Sequence, residues 1–112
     1  MTTTEIIKLL AERYKAPDYA FLSQVRNQTG YARGLRTADG LALGLWPSRG
    51  IYMHGFEIKT VRSDVLSELK HPDKADEIAK YCHYWWLVCP DKLVALTELP
   101  TNWGLLVVKG SR

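Results

Sequence analysis

Cysteine is scarce in this 112-residue chain, which contains only Cys82 and Cys89. Two cysteines seven positions apart, with no second pair, do not have the ligand spacing of a structural zinc site. They are also too few for the disulfide framework of a small secreted scaffold. A free cysteine usually packs as a small apolar residue. We therefore expect two buried thiols and a reducing, cytoplasmic setting.

Long apolar runs are missing as well. No segment of the sequence approaches the about 18 residues that a membrane span requires. The first residues also lack the basic-then-apolar pattern of a signal peptide. Internal repeats and low-complexity segments are absent. These features predict a cytoplasmic protein without membrane partners.

The composition is that of one ordinary globular domain. Hydrophobic residues make up 46% of the chain and charged residues 24%, which is typical of a folded protein rather than a disordered one. A chain of 112 residues can bury one core but not two. The net charge is +3 and the pI about 8.9, a mildly basic balance that permits a nucleic-acid partner without requiring one.

Hydrophobic periodicity predicts alternating helices and strands. Helices are expected over about residues 3–14, from Ser63 as N-cap, and from Pro72 to about residue 82. Strands are expected over 19–27 (or a short helix there), 41–46, 51–60, 84–89 and 103–108, with a further short strand considered at 93–95. The continuous apolar run at 84–89 is typical of a central parallel strand. The right-handed crossover rule then places the helices of 63–82 over one face of an α/β sheet.

Two acids and a lysine are the candidates for chemistry. Glu57 and Lys59 are two positions apart in a predicted strand, so their side chains point to the same face. Asp39 precedes the strand at 41–46, and a hairpin between this strand and 51–60 would bring Asp39 close to them. The plainer alternatives are a turn aspartate at the entry of a strand, and a cross-strand ion pair on the solvent face of an edge strand.

Several short sequences, in this order, carry a resemblance to a known family: Arg36-Thr37-Ala38-Asp39, Gly55-Phe56-Glu57-Ile58-Lys59, Arg62-Ser63-Asp64, Tyr81-Cys82, Trp85-Trp86-Leu87-Val88 with Pro90 after it, and Leu99-Pro100 ahead of Trp103-Gly104-Leu105-Leu106. Over roughly residues 19–108 the chain resembles the PD-(D/E)XK nuclease superfamily, most closely its MmcB-like, Holliday-junction-resolvase-like branch of bacteria and phages. The resemblance implies a restriction-endonuclease-like αβββαβ core. Its mixed central sheet is flanked by helices and extended by an extra C-terminal strand, in one domain over residues 1–112.

The resemblance also implies an activity and a site. Asp39 and Glu57 would hold a divalent cation, Mg²⁺ or Mn²⁺, and carboxylate oxygens are the ligands that Mg²⁺ prefers. Lys59 would orient or deprotonate the attacking water, or stabilise the negative charge that develops on the phosphate. The expected function is a metal-dependent DNA endonuclease that hydrolyses phosphodiester bonds, with branched or damaged DNA in repair and recombination as candidate substrates. A homodimer would suit cleavage of two strands.

The sequence departs from the family pattern at two positions. Gln24 stands near the position where the MmcB-like branch implies a further acid, and Gly40 replaces an apolar residue. Glu5 or Glu12 on the first helix could supply the missing carboxylate. An amide at position 24 offers an oxygen but no charge. The alternative function is therefore a catalytically impaired nuclease fold that binds DNA or a protein partner, including a phage-encoded subunit of a larger complex.

Basic side chains flank the proposed site. The arginines expected to contact DNA phosphates are Arg26, Arg33, Arg36, Arg49 and Arg62. Such contacts position a duplex without reading its sequence. The alternative is an ordinary solvated surface. The three histidines are expected to lie outside the site, with His54 on the face of its strand opposite to Glu57.

Overall fold

The fold is organised on a five-stranded mixed sheet with strand order β1-β2-β3-β4-β5. A computed structural model describes residues 1–26, 37–47 and 51–109. The strands are β1 (Tyr19–Arg26), β2 (Thr37–Gly44), β3 (Met53–Ile58), β4 (Tyr84–Pro90) and β5 (Trp103–Val108). β1 pairs antiparallel with β2 and β2 antiparallel with β3, whereas β3–β4 and β4–β5 are parallel pairs. β4 is therefore a central parallel strand, as its apolar run predicts.

Within the described residues, three α-helices flank the sheet and complete the predicted α/β fold. They are α1 (Thr3–Arg13), α2 (Arg62–Lys70) and α3 (Asp73–Ala79), and a short 3-10 helix spans Leu96–Glu98. The described elements follow the order αβββααβ with the extra C-terminal strand β5. α2 and α3 form the crossover between the parallel strands β3 and β4. This confirms the fold class predicted from the sequence.

Each face of the sheet has its own core. On the first face, Ile6 and Leu10 of α1 pack with Phe56, Ile58 and Val88. On the other face, residues of α2 and α3 pack with alternate residues of β4 and the start of β5: Val65, Ala75, Ile78, Trp85, Leu87, Cys89 and Trp103. The alternation of side chains along β3 and β4 produces this division. Even-numbered residues of β3 therefore face α1, and odd-numbered residues face α2.

Two glycines allow aromatic rings to lie against the sheet. A Cβ at Gly55 would stand 2.5 Å from Cε3 of Trp85, so the indole ring occupies the space above the strand there. A Cβ at Gly40 would stand 3.0 Å from Cζ of Phe21. The glycine after Asp39, a departure from the family pattern, is thus explained by the packing of Phe21 over β2.

Three details of the predicted boundaries are wrong. β2 spans Thr37–Gly44, so Asp39 lies within the strand and does not precede it. α2 begins at Arg62 with Val61 at the N-cap position, so Ser63 lies within the first turn and is not the N-cap. Residues 93–95 follow an irregular path between β4 and the 3-10 helix instead of forming a strand. The start of α2 and residues 93–95 run along the side of the molecule where Arg62 donates a hydrogen bond to the carbonyl of Leu93 (2.9 Å). That tertiary contact fixes the two segments against each other.

Replacing Thr2 by alanine should lower the free energy of unfolding by about 1 kcal/mol. Thr2 is the N-cap of α1: its hydroxyl accepts the Glu5 N–H (3.2 Å), and the Glu5 carboxylate accepts the Thr2 N–H (2.8 Å). The two groups form a capping box, and the substitution leaves the Glu5 N–H without its side-chain acceptor. Urea unfolding measures the change, with exposed Thr4→Ala as the control. Equal losses in the two variants would contradict a role of the cap.

Candidate active site

Asp39 lies where the ladder between β2 and β3 ends. The last paired residues are Gly40 and Phe56, and Asp39 comes directly before them on β2. Its Oδ2 accepts a hydrogen bond from the backbone N–H of Ile58 at 2.7 Å. The side chain thus replaces a backbone acceptor at the end of the ladder. This contact fixes one carboxylate oxygen of Asp39 beside β3.

Glu57 and Lys59 point to the face of β3 opposite to Ile58. Ile58 is buried in the core beneath α1, and the alternation places its two neighbours on the α2 side. The Lys59 Nζ lies 3.2 Å from Glu57 Oε2, and the two side chains are only 21% and 17% exposed. They therefore form a largely buried ion pair rather than one on a solvated strand edge. The backbone N–H of Lys59 donates to the carbonyl of Val88 (3.0 Å), which ties this residue to β4.

A third carboxylate, which the sequence analysis missed, comes from α2. Glu68 Oε1 lies 3.4 Å from the Lys59 Nζ, and the Glu68 side chain is 18% exposed. Glu68 belongs to the helix stripe that faces the sheet, together with buried Val65 and the partly buried Leu69. Spacings of three and four residues place side chains on one helix face. This pattern is the signal in the sequence that would have identified Glu68 as inward-facing.

The electrostatics of the cluster are dominated by crowded negative charge. Burial and the neighbouring charge of Asp39 raise the pKa of Glu57 to about 7, with a smaller contribution of Glu68 in the same direction and an opposing one from Lys59. Burial alone would lower the pKa of Lys59, but Glu57 and Glu68 outweigh it and the pKa is raised. Among the described residues, the Lys59 ammonium pairs with two carboxylates, those of Glu57 and Glu68. The cluster is arranged to accept further positive charge.

The carboxylates of the cluster suit a metal ion that takes only one or two ligands from the protein. Across residues 1–26, 37–47 and 51–109, no three His, Cys, Asp or Glu side chains are grouped so that they could hold a metal ion. Mg²⁺ commonly binds one or two carboxylates and completes its shell with water and substrate phosphate. Asp39 and Glu57 supply two carboxylates of this kind: Asp39 Oδ2 lies 2.7 Å from the backbone nitrogen of Ile58, the residue after Glu57, and the charge of Asp39 raises the pKa of Glu57.

Three other residues were candidates for a further acidic position in the site: Gln24, Glu5 and Glu12. Gln24 is exposed on β1 with a left-handed φ of 55°, between the pairs Ser23–Gly40 and Val25–Ala38, so it lies across from Asp39. Glu5 and Glu12 lie on α1, which packs on the face of the sheet opposite to Glu57. Glu5 belongs to the cap of α1, and the Glu12 side chain is 79% exposed and 3.5 Å from Lys15. The two glutamates are therefore remote from the cluster.

Of the five arginines expected to contact phosphates, Arg62 has a described side chain. Its Nη1 and Nη2 donate to Oε2 (3.0 Å) and Oε1 (2.6 Å) of Glu98, a two-bond ion pair. These hydrogen bonds, with one from the Ala95 backbone, hold the pKa of Glu98 at about 2. Arg33, Arg36 and Arg49 lie outside the described residues, and Arg26 is described by its backbone at the end of β1. Phosphate contacts by these residues stay a prediction.

Comparisons with known proteins bear on the fold. No protein-family model matches the chain, and no curated protein matches it. A solved structure that does match is a protein of unknown function from Silicibacter pomeroyi, with 20% sequence identity and a TM-score of 0.57. The match covers 88% of this chain and 57% of that one. The likeness is one of fold. This chain spans little more than half the length of that relative.

A separate observation concerns membranes. None of the helices in the described part of the chain is long and apolar enough to cross a bilayer. α1, the longest helix with 11 residues, carries one buried face and one exposed face. This is the pattern of a helix that packs on a sheet.

Proposed function

We propose that this protein is a metal-dependent DNA endonuclease of the PD-(D/E)XK type. The observation that carries the proposal is that Asp39 accepts a hydrogen bond from the Ile58 N–H, between Glu57 and Lys59 in the chain, while the Lys59 ammonium lies 3.2 Å from Glu57. Burying two carboxylates and one ammonium on a strand costs free energy. A functional role explains why the protein keeps them there. The residue types and their order along the chain are those that the family resemblance implies.

Each of the three residues has a definite part in the proposed reaction. In phosphodiester hydrolysis a water oxygen bonds to phosphorus, the bond from phosphorus to the leaving sugar oxygen breaks, and that oxygen takes up a proton. Asp39 and Glu57 would hold Mg²⁺ or Mn²⁺, which supplies a Lewis acid for the phosphate and lowers the pKa of water. Lys59 would place its ammonium where negative charge accumulates on the phosphate oxygens.

The packing of the three residues supports this division of labour. Asp39 is fixed by its bond to the Ile58 N–H, and Lys59 by its backbone bond to β4 and its two carboxylate partners. Side chains that are held before substrate binds lose less freedom in the transition state. The proposal further places the protein in the cytoplasm, with DNA as its partner through phosphate contacts, and as a homodimer when both strands are cut.

A second function is favoured by one observation, the exposed amide of Gln24 across from Asp39. A glutamine there adds no negative charge to hold a cation. The alternative is a catalytically impaired nuclease fold that binds DNA or a protein partner. Such a module would bind DNA with a salt dependence set by its phosphate contacts and independently of Glu57 and Lys59.

A cleavage assay distinguishes the two functions. The protein should cut at least one of linear, nicked, flap and four-way-junction DNA in Mn²⁺, cut nothing in EDTA, and lose the activity on Glu57→Ala. Glu77→Ala is the matched control, since Glu77 is an acid of α3 whose side chain is 49% exposed. Products that persist in Glu57→Ala would contradict the proposed site. An absence of products with DNA still shifted on a gel would favour the binding module.

A further inference from the structure

Lys59 has two carboxylate partners that come from different elements. Glu57 Oε2 lies 3.2 Å away on the lysine's own strand, and Glu68 Oε1 lies 3.4 Å away on α2. All three side chains are largely buried, with 17–21% of their surface exposed. An ammonium in such surroundings is stable only while it is paired, because breaking a buried pair on one side leaves an uncompensated charge.

The second partner matters once Glu57 has another role. A divalent cation on Asp39 and Glu57 would draw the Glu57 carboxylate into its own coordination and would repel the ammonium. With Glu57 as its single partner, Lys59 would have to remain unpaired or move into water. Glu68 removes this conflict. It lies on α2, so it can stay beside the ammonium while Glu57 binds the cation.

We propose that Glu68 is a positioning residue that keeps Lys59 at the site while Glu57 binds the metal ion. The inference rests on the proposed function and deepens it. Glu68 is suited to this role because α2 is anchored on the sheet by Val65, which is fully buried, and by Leu69. It acts through Lys59 and does not touch the metal ion or the phosphate.

A double-mutant cycle on Mn²⁺ binding by the full chain tests this. Glu68→Gln should weaken Mn²⁺ binding about threefold to tenfold, because metal binding then leaves Lys59 without a carboxylate. In the Lys59→Met background, Glu68→Gln should have no effect on Mn²⁺ binding. Glu77→Gln on α3 is the matched control and should leave binding unchanged. If Glu68→Gln does not fold, Glu68→Asp, which keeps the charge with a shorter reach, should give a smaller loss.

Two results would overturn the inference. Equal weakening by Glu68→Gln with and without Lys59 would make Glu68 a metal ligand, and unchanged Mn²⁺ binding in Glu68→Gln would remove its role altogether. The metal-free protein provides a separate readout, since the melting-temperature losses of Lys59→Met and Glu68→Gln should be non-additive. Non-additive losses together with a wild-type protein that binds no Mn²⁺ would overturn the proposed function, while the pairing of Lys59 with Glu68 would stand.

Discussion

Replacing Lys59 by methionine should slow metal-dependent DNA cleavage by roughly a hundredfold to a thousandfold and leave the fold intact. Negative charge accumulates on the phosphate during hydrolysis, and a preorganised ammonium stabilises that charge more than it stabilises the ground state. The Lys59 ammonium is held by carboxylates at 3.2 and 3.4 Å, so it needs little reorganisation when the phosphate arrives. Methionine keeps most of the apolar stem and removes the charge.

Single-turnover cleavage rates and Mn²⁺ titrations should be measured together. Mn²⁺ should bind Lys59→Met as tightly as the wild type or more tightly, because the ammonium no longer competes for the Glu57 carboxylate. Lys80→Met, at a 58% exposed lysine that follows α3, is the matched control and should cut DNA normally. A normal rate in Lys59→Met would exclude the assigned role. Loss of Mn²⁺ binding would indicate that the lysine supports the structure of the site instead.

The sequence predicts the sheet well because the strands that define it have strong local patterns. The run at 84–89 is apolar at every position after Tyr84, which fits a strand covered on both faces. Trp85 packs beneath α2 and α3, and Trp86 packs against the α1 core. His54 likewise falls on the α1 side, where Trp86 Nε1 donates to its Nδ1 (3.1 Å), as the alternation along β3 predicts.

The wrong boundaries arise where tertiary contacts override local signals. Ser63 is a favourable N-cap residue, but the helix begins two residues earlier, with Val61 in an extended conformation at the N-cap position. The apolar residues at 93–95 have the composition of a strand and no neighbouring strand to pair with, since β5 already occupies the edge beside β4. Val94 is buried and contributes to the core without a ladder.

The geometry of the candidate site was predictable for its strand residues and not for its helix residue. Glu57 and Lys59 are linked by alternation along one strand, a purely local rule. Glu68 meets Lys59 across nine positions of sequence, and the contact depends on how α2 is seated on the sheet. The sequence does carry a partial signal, because Val65 and Leu69 define the inner stripe of α2. Leu66, which is 43% exposed, obscures that stripe by adding a second apolar position.

Replacing Glu57 by glutamine should stabilise the metal-free protein by about 3 kcal/mol at pH 8, or roughly 10 °C in melting temperature, and by far less at pH 5. Burial and Asp39 raise the pKa of Glu57 from 4.5 to about 7 in the folded state. The folded protein therefore binds a proton at Glu57 more tightly than the unfolded chain does. This contribution to stability is fully lost above pH 7 and is recovered as the pH falls toward 4.5. Glutamine resembles the protonated carboxyl at every pH.

The stability of the wild type and of Glu57→Gln must be compared at each pH, because the pH dependence of one protein alone also contains other groups. The pKa of His54 is lowered by its burial and by the nearby His83, so His54 gives the opposite slope in an overlapping pH range. A lowered histidine pKa makes the folded state more stable as the pH rises through the pKa of the unfolded chain. Because His54 is present in both proteins, its effect cancels in the difference between them.

Thermal unfolding of both proteins in EDTA between pH 5 and pH 8 measures this difference. It should grow steadily with pH and reach its full size near pH 8. Adding Mn²⁺ at pH 8 should stabilise the wild type and not Glu57→Gln, because a bound cation neutralises the carboxylate pair as the proton does. A difference that stays constant from pH 5 to pH 8 would show that Glu57 is ionised throughout. In that case the crowding of Glu57 with Asp39 would be too weak to favour a divalent cation.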